Sequence, residues 1–462
     1  MVALFLSALL VSAAFEPIGL WFLAVLGYSL FLRSLRKTHF PIFSTFIFGL
    51  FVNAIVLHWS SKYVGSLPWL FLSLLQAIFY IPVGWVFRQT RSVRWALFAL
   101  LISEELRARY PFGGFSWTRI AFSQIDSPLA PLLSYGGVLL LSFTTLILAM
   151  LFTRFNLKSF AAIGIIIGVV AILPDNPATK EEISLVAIQG NTPSVGLGFT
   201  SRAKAVFDLH RDATMEFVQK KYDAIIWPEN AIDIDPRNYP EVKEDIQKLV
   251  RDLDTPLIAG VVLKENGVPQ NASIHYGVNG ASESTYIKRY LTPFGEYIPL
   301  RRLAEIFSPY ASLVNDFQEG TILVTHKVGN QRVAPIICYE IINDGLVREA
   351  SWNSGALIVQ TNSATFANTA ESAQQLAITR VRAIEHSRAI LSISTIGISA
   401  FIDNNGVVKK QIPENISAAI SGELFISNHK TIADRLGGVA PLLTLFASFL
   451  LALTTIKRIS LL

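Results

Sequence analysis

One cysteine, Cys338, stands among 462 residues, so no internal disulfide can form. The seven histidines show no metal-ligand spacing, and no glycine-rich phosphate loop, internal repeat or low-complexity tract is present. Those absences argue against zinc sites, P-loop nucleotide chemistry and solenoid architectures. Charge is scarce as well. Charged residues make up 16% of the chain and hydrophobic ones 52%, with a mean hydropathy of +0.45, against about 25% charged in soluble domains. This balance places the chain in a bilayer. Acidic residues are nearly missing from both ends: 30 of the 34 fall between Asp175 and Asp434, and only Glu16, Glu104, Glu105 and Asp126 lie elsewhere. Two parts therefore coexist, one apolar and one of soluble character.

The apolar part contains runs near 2–14, 18–32, 41–58, 67–87, 94–106, 128–152, 159–173 and 437–456. At about 20 apolar residues per span they predict roughly eight membrane segments. Residues 1–174 are expected to form a bundle of about seven helices, 175–435 a water-exposed domain, and 436–462 a C-terminal transmembrane helix. The first two runs, divided by Phe15-Glu16-Pro17-Ile18-Gly19, read as a hairpin, a re-entrant element or one broken helix. A cleaved signal peptide over 1–16 competes, but no Lys or Arg precedes Arg33 to form its basic region. Alternate short loops carry Arg33, Arg36, Lys37, Arg88, Arg91, Arg94, Arg154, Lys158, Lys457 and Arg458. Positive charge is retained on the cytoplasmic side, so the 175–435 module is expected on the extracytoplasmic face of its membrane. The net charge of +5 follows from that asymmetry and from anionic headgroups, and calls for no nucleic acid.

Within the module, short β-rich runs alternate with charged helical stretches. Strands are expected at 183–188, 224–227, 256–263, 272–278, 333–338, 356–361 and 390–402, and helices at 201–221, 240–253 and 371–387. The alternation predicts a layered α/β sandwich. Three polar residues stand at the ends of apolar runs or beside them: Glu229 in Trp227-Pro228-Glu229-Asn230, Lys288 in Tyr286-Ile287-Lys288-Arg289, and Cys338 in Ile336-Ile337-Cys338-Tyr339-Glu340. Such ends are where α/β proteins place their chemistry. A lone cysteine is more often a small buried hydrophobe. A carboxylate, an ammonium and a thiol together form an acyl-transfer set: a base for the thiol proton, a nucleophile, and a cationic donor for the oxyanion.

The order Trp-Pro-Glu-Asn, then Lys288 with Leu291-Thr292-Pro293-Phe294-Gly295-Glu296-Tyr297-Ile298-Pro299, then Cys338-Tyr339-Glu340 resembles the nitrilase superfamily. With its membrane runs, the chain resembles the bacterial apolipoprotein N-acyltransferase family nearly end to end. Gly114-Phe115-Ser116-Trp117, Gln189-Gly190-Asn191, Arg382-Ala383-Ile384-Glu385 and Gly397-Ile398-Ser399-Ala400 match further. The resemblance implies a polytopic α-helical membrane domain carrying a nitrilase-like α-β-β-α sandwich. It implies Glu229 as general base, Lys288 as oxyanion donor and Cys338 as nucleophile, with Glu296, Tyr339, Glu340 and Asn271 supporting or orienting. Glu296 and Glu340 either act directly or orient Lys288 and cap backbone groups.

The implied reaction is ping-pong acyl transfer from a phospholipid donor to a diacylglyceryl-apolipoprotein acceptor by a membrane-embedded monomer, with no cofactor and no metal. The chain departs from the family pattern at Val195-Gly196-Leu197-Gly198-Phe199, where a tryptophan is usual. It departs again at Asn362-Ser363-Ala364-Thr365-Phe366, where Asn-Asp-Ala-Trp-Phe is usual. The stretch Arg301 to Phe307 reads either as an interfacial arm or as a short helix packed on the domain. Two other functions compete: a membrane-tethered carbon-nitrogen hydrolase using the same three residues, and a lipid-binding scaffold or transporter.

Overall fold

Two units make up the chain in the computed structural model: Met1–Asp175 with Thr431–Leu462, and Asn176–Lys430. All residues are described except 63, 64, 155, 178, 197–203, 308–311, 313 and 456–462. Phe199, Lys457 and Arg458 thus lie outside the described residues, as do the side chains of Leu303 and Phe307.

In the first unit the apolar runs become the helices Val2–Ala13, Phe22–Lys37, Pro41–Val56, Ser66–Ile78, Ile81–Thr90, Val93–Arg107, Leu133–Phe152, Leu157–Ala171 and Val439–Leu453. Pro41 and Pro82 sit in the first turns of their helices, where a missing N–H leaves no bond unmade. Val2–Ala13 and Phe22–Lys37 are separate helices packed on one another, so of the three readings of this segment the hairpin holds. Among the described residues, Ser66–Thr90 and Ala130–Phe152 are long and apolar enough to cross a membrane. Val2–Ala13, Pro41–Val56, Leu157–Ala171 and Val439–Leu453 are apolar but shorter. Buried charge is paired: Arg119 bonds Glu105 and lies 3.9 Å from Glu104. Glu104 also accepts from Ser142 Oγ at 2.6 Å, and Arg107 donates to Thr118 Oγ1 at 2.7 Å. Arg107 and Arg119 are buried and bonded internally, because an unpaired buried guanidinium is too costly to keep.

In the second unit, period-two alternation builds two stacked sheets. Strands β1 (Glu182–Gln189), β2 (Ala224–Ile226), β3 (Leu257–Glu265), β4 (Val268–Tyr276), β5 (Ser282–Ile287) and β12 (Ala418–Phe425) form one, in the order β12-β1-β2-β3-β4-β5. The other runs β11-β10-β9-β8-β7-β6, from β6 (His326–Val328), β7 (Gln331–Ile337), β8 (Ala356–Thr361), β9 (Ala389–Ser394), β10 (Ser399–Ile402) and β11 (Val408–Ile412). At the centre of each, β1, β2 and β3, and β7, β8 and β9, run parallel. On β1, Ile183, Leu185 and Ala187 meet the facing sheet's Val333, Ile358 and Leu391. The alternate residues Val186 and Ile188 meet the outer helices through Phe207, Val242 and Ile246. Helices Ala205–Phe217 and Pro240–Asp252 cover the first sheet, and Asp344–Trp352 and Glu371–His386 the second. The result is the α-β-β-α sandwich that the resemblance implies. The single strand expected over 390–402 is two, broken at Thr395–Ile398, where the chain turns back antiparallel.

Motif residues outside the site stitch this frame. Ser399 Oγ donates to Gln189 Oε1 at 2.6 Å, and Gln189 Nε2 donates to Pro413 O at 2.9 Å. Arg382, fully buried, reaches Ile341 O at 3.0 Å, Ile342 O at 3.1 Å and Asp344 at 2.7 Å. It thereby fixes the segment that follows Cys338. Gly190 admits no side chain, since a Cβ there would sit 2.6 Å from the His210 ring.

His210 makes the stability of this unit pH-dependent. Its Nδ1–H donates to Val206 O at 2.8 Å, while Nε2 is buried without a hydrogen-bond partner. Burial pushes its pKa down to about 4. The unfolded chain takes up this proton near pH 6.5 while the folded chain refuses it, so the stability present above pH 6.5 is lost as pH falls toward 4. By pH 5 the loss from this residue is about 2 kcal/mol. Melting temperatures at pH 7 and pH 5 are expected to differ less in His210→Gln than in the native protein.

Candidate active site

Glu229, Lys288 and Cys338 are each delivered by a strand end or an adjoining turn. Strand β2 stops at Pro228, which has no N–H for a further ladder bond, and Glu229 follows. Its loop is pinned from both sheets: Trp227 N donates to Ile258 O at 2.8 Å, and Gln360 Nε2 of β8 donates to Trp227 O at 2.7 Å. Gly260 of β3 lets this loop lie close, because a Cβ there would stand 2.3 Å from Pro228 O. Lys288 directly follows β5, and its N–H donates to Asn271 O of β4 at 2.8 Å. Cys338 directly follows β7 and begins a tight turn over Cys338–Ile342. Its φ of 51° is left-handed, a strained conformation that costs a non-glycine residue about 1–3 kcal/mol and must be held by its surroundings.

Glu340 does much of that holding. Its carboxylate is fully buried and accepts from Ile337 N at 2.8 Å, Tyr286 Oη at 2.8 Å, Arg289 N at 2.7 Å and Tyr290 N at 3.1 Å. One side chain thus fastens the cysteine turn to the segment carrying Lys288. Of the two roles open to Glu340, capping and orientation is the one its contacts fit. Glu296 instead touches the lysine, with Lys288 Nζ 2.8 Å from Glu296 Oε2 and 3.3 Å from Glu229 Oε1. Asn271 Nδ2 bridges the two acids, donating to Glu229 Oε1 at 2.7 Å and to Glu296 Oε1 at 2.8 Å. Tyr339 is buried beside the cysteine.

The electrostatics define a resting state. Burial raises the Cys338 thiol well above its ordinary pKa, the Glu229 charge adds to that, and Lys288 only partly offsets it. The resting sulfur is therefore a thiol and needs a base to become the nucleophile. Burial likewise raises Glu229, with Lys288 pulling the other way and Glu296 adding to the rise, which makes it a better proton acceptor. Burial alone would discharge Lys288, but Glu296, Glu229 and Cys338 hold it protonated above its ordinary value. A carboxylate that can take a proton, a thiol that can give one and a fixed cation have between them the chemistry that acyl transfer needs.

Gln375, which the sequence did not single out, touches the nucleophile, with Nε2 3.8 Å from Cys338 Sγ. Thr292 Oγ1 lies 3.4 Å from Lys288 Nζ. Among the described residues no group of three or more His, Cys, Asp or Glu side chains is placed to hold a metal ion. Ile306, on the helix Arg301–Phe307, is 75% exposed.

Comparison with known proteins gives the class first. The family model described as carbon-nitrogen hydrolase matches residues 184–427, and the chain belongs to that family. A second model, the apolipoprotein N-acyltransferase N-terminal domain, matches residues 7–173. The apolipoprotein N-acyltransferase of Mycolicibacterium smegmatis is 29% identical over 444 residues, which is 85% of this chain and 74% of that protein. Its namesake in Pseudomonas putida is 26% identical over 450 residues, covering 89% and 88%. Among solved structures, a CN-hydrolase superfamily protein from Xanthomonas campestris covers 57% of this chain and 97% of its own at 17% identity, with a TM-score of 0.41. The resemblance read from the sequence is borne out on both parts of the chain.

Proposed function

We propose that the chain is an apolipoprotein N-acyltransferase. Glu229 takes the Cys338 proton, and the thiolate attacks an ester carbonyl of a phospholipid. The lysophospholipid leaves with that proton, and Cys338 keeps the acyl chain as a thioester. The N-terminal amine of a diacylglyceryl-cysteine apolipoprotein then takes the acyl chain as an amide. Lys288 stabilises both tetrahedral oxyanions, Glu296 and Asn271 hold Lys288 and Glu229 in place, and Glu340 and Tyr339 brace the cysteine turn. A covalent intermediate suits two bulky lipids, because they need not occupy the site together.

The apolar helices embed the protein in the bacterial plasma membrane as a polytopic bundle, and the sandwich faces the extracytoplasmic side. Pairing of Arg107 and Arg119 with internal groups supports that orientation, since those charges no longer count against the basic loops. The observation that carries the proposal is the joining, in one chain, of the Glu229, Lys288 and Cys338 site to a part similar to the apolipoprotein N-acyltransferase N-terminal domain.

A phospholipid with a labelled acyl chain tests it. The purified native protein is expected to acquire a hydroxylamine-sensitive label on the peptide containing Cys338, and to pass it to a diacylglyceryl-cysteinyl peptide. No adduct would overturn the acyl-enzyme route. Label recovered only as fatty acid, with the lipopeptide present, would favour a hydrolase.

A further inference from the structure

Glu371 is a buried acid that the mechanism above leaves unused. It opens the helix Glu371–His386 and is 4% exposed. One oxygen is bonded to the Ser363 hydroxyl, and the other, Oε2, is buried without a hydrogen-bond partner. Four residues on, Gln375 touches Cys338 Sγ at 3.8 Å. Residues four apart on a helix share a face, with Cβ atoms about 5–6 Å apart, so Glu371 lies one helical turn from the residue that touches the nucleophile. Its charge acts on Cys338, and it also feels Glu229.

The charges acting on Glu371 are both negative, Glu414 from the segment after β11 and Glu229 from the segment after β2. Burial is the larger influence, and together they push its pKa up to about 8. A buried acid with one idle oxygen and acidic neighbours is suited to a cation that arrives with the substrate.

We propose that Glu371 receives the acceptor's α-ammonium and takes its proton in the second half-reaction. This rests on the acyl-transfer reading above. The approaching cation favours the ionised form of Glu371, whose carboxylate takes one ammonium proton, and the freed amine attacks the thioester carbonyl. The C–N bond forms, Glu229 takes the second nitrogen proton, the C–S bond breaks, and the sulfur leaves with the proton from Glu229. Glu371 then releases its own proton to water. An α-amine titrates near pH 8, close to Glu371, so the first transfer is nearly balanced in energy.

The test compares the native protein with Glu371→Gln, a neutral isostere, using the labelled phospholipid. Thioester formation on Cys338 is expected within about twofold of native, since no ammonium takes part in that step. Transfer to a diacylglyceryl-cysteinyl peptide is expected to fall by at least about tenfold. Cleavage of the same thioester by hydroxylamine, an amine already neutral at pH 7, is expected to stay within about twofold. That last readout separates proton transfer from a loosened fold. Native-rate transfer in the variant would overturn the proposal. So would parallel loss of thioester formation, lipopeptide transfer and hydroxylamine cleavage. Failure of the native protein to form a thioester or to acylate the lipopeptide would instead overturn the acyl-transfer reading itself.

Discussion

Cys338→Ala is expected to abolish both half-reactions, lowering phospholipid-to-lipopeptide transfer by roughly 10⁴–10⁶-fold, as for removal of other enzyme nucleophiles. No second thiol exists in the chain to substitute for it. Stability is expected to change by only about 1 kcal/mol, because Cys338 is partly exposed and alanine meets the same backbone strain at φ 51°. Melting curves and label transfer on the same preparation separate the two effects. Cys338→Ser sharpens the test. Its hydroxyl occupies the same place, but Glu229 then faces a far weaker acid, so the variant is expected to stay close to Cys338→Ala in activity. Transfer above about 1% of native in either variant would remove Cys338 from the mechanism.

Lys288→Met is expected to act through two routes. Loss of one preorganised oxyanion donor lowers rates by about 10²–10³. The same change strips Glu229 and Glu296 of their shared cation in a place where Lys288 is 1% exposed. Breaking such a buried pair costs about 3–5 kcal/mol. Glu229, already raised by burial and lowered by Lys288, then rises further and ceases to be a base. Total loss of activity is therefore expected to exceed about 10³-fold. The sign of the pH effect follows. A carboxyl whose folded pKa is raised binds its proton more tightly in the folded state, so its penalty is absent at low pH and grows as pH rises through the unfolded value toward the folded one. Lys288→Met is expected to melt closer to the native protein at pH 5 than at pH 8. An equal deficit at both values would show that Lys288 does not neutralise Glu229.

The candidate set of Glu229, Lys288 and Cys338 was legible because each member ends or adjoins an apolar run, and an acid, a base or a thiol there needs a reason. Asn271 was less so. It lies within β4, and only its two bonds to Glu229 and Glu296 reveal it as a bridge. Glu371 and Gln375 left no signal, since polar residues on an amphipathic helix ordinarily face water, and here both are buried. Strands β5, β6, β11 and β12 were missed because they are edges or sheet ends, where one face is wet and polar residues such as Lys409 and Lys410 interrupt the pattern. The buried central strand β8, apolar on both faces, was read with its actual limits, and its neighbour β7 to within two residues at each end.

The base, the cation and Asn271 come from one sheet, while the thiol and Gln375 come from the other. Neither sheet alone can cut an ester, so catalytic competence appears only when the two have stacked. A chain whose layers have not yet stacked, or have parted, holds the two carboxylates and the ammonium apart from the thiol, so under the proposed reaction it forms no acyl-enzyme.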